Sequence, residues 1–555
     1  MSKTLLCAAA LVAFSSLCHA QDQTAALQAL MTRAHVPGLS LAYVKNGRVA
    51  QTYYLGTRSN DTGGDVDART VFQAASLTKV AFAYGVMHLV DQGKLDLDKP
   101  LSSYYNYPDL QYDARAAKVT AREVLSHTSG LPNWRNGDTL KFKYNPGERW
   151  NYSGEGFVWL GKVVEQITGK ELSPWLEETV LQPLGMERSG FIWKNEFDQD
   201  YAWPHTETGT TSGRWTPEKV NTAASLHTTA DSYAKLLCAL LNKQGLKPAT
   251  FKTMLQPQVH SQVEEGKTAL SWSLGVGRQE TAAGPAFWQW GDNGTFKAFL
   301  IGYPEKKEGL VYFANSAAGL TIARDILQLF FGGEQPAIAW VTNEDPDIRH
   351  VALLNDLLHE PFATAIAPFM KGSVQDTAAL PESKMNWLGY RLLENRRPEL
   401  AEQLFRLNTQ AYPDSVDAYA GLAEAALRGG HPKEAQQWYT KAATLKPAKT
   451  NYKQMAGKLD STFIATPVAA DSSLTFFRLG DFPAAKLVSL AGTFNGWNDL
   501  EVPMRWKNGA WEAALRLAPG TYQYKFVIDG VWLSDPRNPK THEGDMNSIL
   551  VVAAK

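Results

Sequence analysis

The spacing of hydrophobic residues changes character twice along this chain, near residues 333 and 465, so one continuous core cannot organise it. Up to Gly333, two-residue alternation brackets a helical middle. Leu39 to Val44 and Arg48 to Leu55 alternate around Asn46-Gly47, the strongest short hairpin signal, and predict a pair of edge strands. Strand-like runs return at Ser271 to Arg278, Ala286 to Gln289, Phe296 to Tyr303 and Gly309 to Asn315, and a last helix is predicted over Thr321 to Phe331. From 334 to 464 the pattern is helical with an internal period. Leu388, Gly389, Ala401, Phe405 and Pro413 recur 34 residues later as Leu422, Ala423, Ala435, Tyr439 and Pro447. From 465 to 555 short strands and turns take over. A chain of 555 residues divides into two or three domains on size grounds alone.

Chemistry is concentrated in the first of these parts. Ser76 and Lys79, in Val71-Phe-Gln-Ala-Ala-Ser-Leu-Thr-Lys79, stand three residues apart. On a helix that spacing advances about 4.5 Å and keeps both side chains on one face, so an amine held neutral by burial can take the hydroxyl proton. A second Ser-x-x-Lys, Ser232 and Lys235, lies in an amphipathic run where Ser232 reads as an ordinary first-turn residue. Further along, Asn151-Tyr152-Ser153-Gly154-Glu155 supplies a phenol, and Gln289-Trp290-Gly291-Asp292-Asn293 a glycine-bearing turn into a strand. Leu125-Ser-His-Thr-Ser-Gly-Leu-Pro132 lies between the serine and the phenol.

In this order the motifs resemble the serine β-lactamase and penicillin-binding superfamily, especially class C β-lactamases, D-Ala-D-Ala carboxypeptidases and family VIII esterases, over about residues 25 to 333. The resemblance implies an α+β domain, an antiparallel sheet flanked by helices. It implies Ser76 as the acylated nucleophile, Lys79 as proton acceptor and Tyr152 as the phenol that relays protons to and from leaving group and water. The oxyanion hole would be the backbone amides of Ser76 and Asp292, with Gly291 permitting close approach of backbone to the acyl group. Members acting on β-lactams usually carry Asn where this chain has Gly154, and Lys or His where it has Gln289. Both positions belong to the expected substrate pocket, and both departures point away from carboxylate-bearing amides and toward esters. Glu155, Asp292 and Asn293 are nearby polar groups, read as solvated loop residues or as substitutes for the missing contacts. His127, His205 and His227 lack metal-like spacing and read as structural, with His127 hydrogen-bonded to loop backbone; no metal or cofactor is expected.

The helical part, about 382 to 447, resembles tetratricopeptide repeats, with Phe405 and Tyr439 filling gaps left by small residues at 389, 401, 423 and 435, and with helical stretches around Arg349 to Met370 and Tyr452 to Leu459 as caps. A spacer is preferred to a peptide-binding groove. The last part, about 468 to 553, resembles the glycogen-binding module of the AMP-activated kinase β subunit and related modules of starch-branching enzymes, which implies an immunoglobulin-like β-sandwich. Carried over by position, Trp497 and Trp532 would stack on α-glucan rings while Lys525 and Asn547 would hydrogen-bond sugar hydroxyls. Trp511 reads as core.

Residues 1–20 read as a secretory signal, with Lys3 before the apolar stretch Leu5 to Phe14 and cleavage after Ala20. Cleavage would leave Cys238 as the lone cysteine, so no intramolecular disulfide is expected. No later stretch reaches the ~18–20 apolar residues of a membrane span. With 55 basic and 56 acidic residues and no basic cluster, nucleic acid is an unsuited partner. The expected protein is a multi-domain, secreted or periplasmic serine hydrolase: hydrolase domain 21–333, helical segment 334–464, sandwich 465–555. Its substrate would be a small-molecule or glycan-linked acyl group, with an ester favoured. The alternatives are a D-amino-acid peptidase, a weak β-lactamase, or a catalytically silent carbohydrate-binding scaffold.

Overall fold

A computed structural model describes residues 23–135, 139–259, 270–341, 348–370, 380–429, 431–446, 474–480, 482, 485, 487–507, 509–529, 531–535, 538 and 547–552. The expected signal segment 1–20, Pro447 and the expected cap 452–459 lie outside them. Contacts divide the chain into two compact units, Met1–Ala352 and Leu353–Lys555.

The first unit is built on a seven-stranded antiparallel sheet. Its strands are β1 (Gly38–Lys45), β2 (Arg48–Gly56), β3 (Leu270–Trp272), β4 (Gly277–Thr281), β5 (Gly284–Asp292), β6 (Lys297–Tyr303) and β7 (Glu308–Ala314), in the order β2-β1-β7-β6-β5-β4-β3. The hairpin at Asn46-Gly47 forms, both residues having positive φ as its tight turn requires. Of this pair only β2 lies at a sheet edge, however; β1 pairs with β7 from the far end of the domain, Leu39 opposite Ala314. The run Ser271 to Arg278 is two strands rather than one, broken at Gly275, where φ is +86° and the backbone packs against Ala83. Strand β5 extends through Asp292, so Gln289 to Asp292 are ladder residues and the turn follows them.

Helix α1 (Thr78–Asp91) is apolar nearly all round, Val80, Phe82, Val86 and Met87 included, and runs through the core. Helix α2 (Gly154–Thr168) starts where Ser153 Oγ accepts from Gly156 N and ends at Gly169 in the left-handed conformation. Helix α3 (Ala230–Asn242) is capped by Thr229 and packs on the sheet at β1 and β7. Helix α4 (Ala323–Phe330) and the short α5 (Pro336–Val341) follow the last strand.

The second unit begins within the helix α6 (Ile348–His359). The predicted single stretch Arg349 to Met370 is two helices, α6 and α7 (Phe362–Met370), because Pro361 interrupts it. Then come α8 (Glu382–Glu394), α9 (Pro398–Ala411), α10 (Val416–Arg428) and α11 (Pro432–Leu445). Phe405 packs so closely on Gly389 and Gly421 that a Cβ at either would lie 2.3 Å or 2.2 Å from its ring. Two small sheets close the chain. One is ordered β8 (Thr475–Gly480), β11 (Ala510–Leu515), β10 (Arg505–Lys507). The other is β9 (Val488–Gly492), β12 (Gly520–Ile528), β13 (Val531–Leu533), with β14 (Ser548–Val552) also on β12. Phe477, Leu479, Val488, Leu490, Trp511, Tyr524 and Phe526 form their shared core.

Candidate active site

Ser76 sits in a 3-10 turn, Ala75–Leu77, immediately before α1, rather than on the helix with Lys79. The turn is held from several sides. Ala74 N donates to Leu226 O, Thr78 Oγ1 donates to Ala75 O and accepts from Leu226 N, and Tyr233 Oη donates to Leu77 O. Ala75 is thereby kept at φ +47°, a conformation alanine resists, so local strain sits beside the serine.

The geometry of the turn still brings the amine to the hydroxyl. Lys79 Nζ lies 3.0 Å from Ser76 Oγ and donates to Ala223 O at 2.9 Å. The side chain is 1% exposed. Burial pulls the amine down to about pKa 7. Tyr152 completes the group: its ring centroid is 4.7 Å from Lys79 Nζ, its hydroxyl hydrogen-bonds Ser76, and it accepts from Gln289 Nε2 at 2.9 Å. Burial drives the phenol far above its ordinary range, against the hydrogen bonds from Ser76 and Gln289. The site therefore pairs a hydroxyl with an amine able to be neutral near pH 7 and a phenol that stays protonated, which is a nucleophile, a base and an acid within one contact shell.

Gly291 is fitted against the same turn. A Cβ there would lie 2.7 Å from Ala74 O and 3.2 Å from Ala75 Cβ. Without a side chain, β5 can run its backbone up to the Ser76 turn, which brings Asp292 beside it.

Gly154 and Gln289 do not face a substrate as expected. Both are buried. The space above Gly154 holds Trp134, whose Cη2 would be 2.7 Å from a Cβ, and Asn133 O, at 2.8 Å. Gln289 is 0% exposed and spends its amide on Tyr152, while its Oε1 has no partner among the described residues. Glu155 is likewise occupied, chelated by Arg135 through Nε and Nη2. Asp292 is ion-paired with Lys297 at 2.6 Å.

His127 binds backbone, but that of the Tyr152 segment: Nδ1 accepts from Ser153 N at 3.0 Å and its carbonyl from Asn151 N at 2.7 Å. Its ring lies 4.2 Å from the phenol ring. His205 is tied to Asn315 O and Asn60 N, and His227 to Ser225 O. No grouping able to hold a metal occurs among the described residues. Ser232 is buried behind the Thr229 cap, whereas Lys235 reaches Gly185 O, so that pair is not assembled.

A cleft of about 520 Å³ opens beside this group. Its lining includes Gln73, Trp134, Trp215, Asn221, Asp292 and Asn293. Trp134 and Trp215 are each 38% exposed, and Trp134 lies 5.9 Å from Lys79 Nζ. Three amides, two indoles and the Asp292 carboxylate, with no cation among them, belong to this lining, a surface suited to flat or hydroxyl-rich groups rather than to carboxylates. Trp134 and Trp215 were not singled out from sequence; the missing side chain at Gly154 was the available signal for the first.

In the second unit, Trp497 and Trp532 lie 6.1 Å apart, centroid to centroid, and Trp532 is 43% exposed. Trp532 pairs with Val527, so Lys525, two residues before Val527 on β12, shares its face of the sheet. Asn547 is buried and donates its amide to Gln523, so it supports that face from beneath more than it presents a free group. Trp511 is core, with Nε1 donating to Phe482 O.

Residues 24–329 match the Beta-lactamase family, and residues 483–555 match the glycogen recognition site of AMP-activated protein kinase. Protein flp of Staphylococcus aureus (strain COL) is 23% identical over 313 residues, 51% of this chain and 61% of that protein. The chain thus spans less than two thirds of the length of the first curated relatives it matches. N-acetylmuramyl-L-alanine amidase of Bacillus subtilis (strain 168) is 27% identical over 322 residues, 46% of this chain and 73% of the amidase. Among solved structures, the octameric penicillin-binding protein homologue from Pyrococcus abyssi shares the fold, with a TM-score of 0.51 and 23% identity over 60% of this chain and 80% of that one.

Proposed function

The chain belongs to the Beta-lactamase family through residues 24–329, and from that premise we propose that it is an exported serine hydrolase cleaving an ester or amide through an acyl-enzyme on Ser76. The observation that carries this reading is the fully buried Lys79 amine, 3.0 Å from Ser76 Oγ and shifted to about pKa 7. Neutral Lys79 takes the hydroxyl proton as Oγ attacks the carbonyl carbon. Charge on the carbonyl oxygen is met by the backbone amides of Ser76 and Asp292. Tyr152, held by Gln289, passes a proton to the departing oxygen or nitrogen, and water then releases the acyl group by the reverse sequence.

Esters are the favoured substrates. The cleft lining offers no cation to a substrate carboxylate, and Gly154 offers no amide to a peptide bond, while alkoxide leaving groups need less protonation than amines. Trp134 and Trp215 in the lining suit an acyl group or alcohol bearing a ring. Cleavage of an amide, as in a D-amino-acid peptide, is the second reading, favoured by the likeness to the Bacillus subtilis amidase; weak β-lactam turnover falls with it.

The remaining parts serve placement. Residues 1–20 are an export signal, 21–333 the hydrolase domain, 334–464 a helical spacer and 465–555 a glucan-binding sandwich. Supporting the spacer as tetratricopeptide-like, α8 and α10 begin 34 residues apart, as do α9 and α11. Two packed sheets around one core support the immunoglobulin-like sandwich, and the Trp497–Trp532 pair supports affinity for α-glucan or an acylated polysaccharide.

The test is labelling of the mature protein with a fluorophosphonate, with Ser76→Ala alongside and peptide mass spectrometry to locate the adduct. An adduct on Ser76 alone is expected, followed by hydrolysis of an ester panel that the variant loses. Glucan retention with no adduct and no turnover would replace the enzyme by a silent carbohydrate-binding scaffold.

A further inference from the structure

Four aromatic rings surround Tyr152: His127 at 4.2 Å, Trp290 at 4.7 Å, Trp272 at 6.1 Å and Trp150 at 6.3 Å. Two of them, Trp150 and Trp290, are half-buried, and both are flanked by one further half-buried ring, Trp340. Its centroid lies 5.5 Å from Trp150, 5.2 Å from Trp290 and 5.7 Å from Trp288. Trp340 belongs to α5, beyond the last residue of the family match at 329.

Helix α5 is firmly seated. Gln335 Oε1 accepts from Gln279 Nε2 at 2.6 Å and from Tyr303 Oη at 3.0 Å, Ala337 N donates to Gln279 Oε1 at 2.9 Å, and Ala337 and Ile338 are fully buried. The indole N–H groups of Trp150, Trp272 and Trp288 are buried and have no partner among the described residues.

We propose that Trp340 is a positioning residue for Tyr152: by bracing Trp150 and Trp290 it fixes the phenol against Ser76 and keeps water from its ring, so the segment after the family span completes the site. This rests on the acyl-enzyme reading above. A hydroxyl that must donate along one line loses rate when its ring can rock, and a misplacement of about 1 Å costs on the order of 10²-fold. Burial is also the largest cause of the raised phenol pKa, so opening the cage lowers that pKa toward the ordinary value.

The experiment compares full-length wild type, Trp340→Phe, Trp340→Leu and Trp340→Ala by fluorophosphonate labelling and by kcat and KM on ethyl butyrate, whose alkoxide leaving group needs a proton, from neutral to alkaline pH. The expected result is a graded loss of kcat, about tenfold or more for leucine with KM within about twofold, phenylalanine lying between leucine and wild type. The alkaline limb of kcat should move to lower pH in the same order. If the smaller side chains prevent folding, Trp340→Phe decides by its alkaline limb, which must lie below that of wild type. Wild-type kcat and an unshifted limb in the folded variants would overturn the proposal while leaving the acyl-enzyme intact. Absence of a Ser76 adduct in wild type would remove both.

Discussion

A lysine with no carboxylate beside it among the described residues, and 1% exposed, lowers its energy by shedding its proton. For Lys79 this links rate to pH. The neutral amine is the competent form, so kcat/KM for ester cleavage should rise about tenfold per pH unit below about 7 and level off above it, as a pH-rate profile would record. Stability follows the same group. The folded-state pKa is depressed below the unfolded value, so the unfolded chain binds the extra proton between about 7 and the ordinary lysine range, and stability rises with pH across that window. Below it the full cost of burying the charge is felt. Lys79→Met should therefore abolish turnover yet raise Tm by about 2–4 °C at pH about 6, read by calorimetry; an unchanged or lower Tm would contradict the assigned burial cost. Ser76, Lys79 and Tyr152 were legible because their chemistry is carried by residue type and short spacing. Gln289 as the partner of the phenol, and Trp134 over Gly154, were not, because each contact joins segments far apart in the chain.

At the scale of elements, the Ser76 turn and the end of β5 are mutually fitted. Gly291→Ala would set a methyl 2.7 Å from Ala74 O in a turn that already holds Ala75 at positive φ. Labelling of Ser76 should slow by about 10²-fold, the usual cost of disturbing an oxyanion donor, with the fold retained by circular dichroism; labelling at the wild-type rate would show that this backbone is not part of the hole. The hairpin at Asn46-Gly47 was readable from its turn residues, and α3 from its amphipathic spacing. Less was readable of β3 and β4, whose break depends on Gly275 meeting Ala83, or of the 3-10 turn, whose strain is imposed by bonds to Leu226 and Tyr233. Local propensity cannot report a conformation that distant partners impose.

For the whole molecule, the proposed hydrolysis and the proposed glycan binding belong to separate cores. Trp497→Ala with Trp532→Ala should abolish retention on immobilised α-glucan and leave hydrolysis of a small soluble ester within about twofold, since neither ring belongs to the first unit. Retention by the double variant would move any glucan site elsewhere. The order of motifs marked the family, because motif spacing is a property of short stretches that survives whatever packs on them. By itself the sequence determined most of the sheet strands, the helical character of the segment after them, the terminal strands and the three residues of the Ser76 group. Only the tertiary structure decided that Lys79 is dry, that Gly154 and Gln289 are buried, and that Trp340 from beyond the family span packs on Trp150 and Trp290. Burial, and with it proton affinity, is set by which distant segments exclude water from a group, and that is a property of the folded whole.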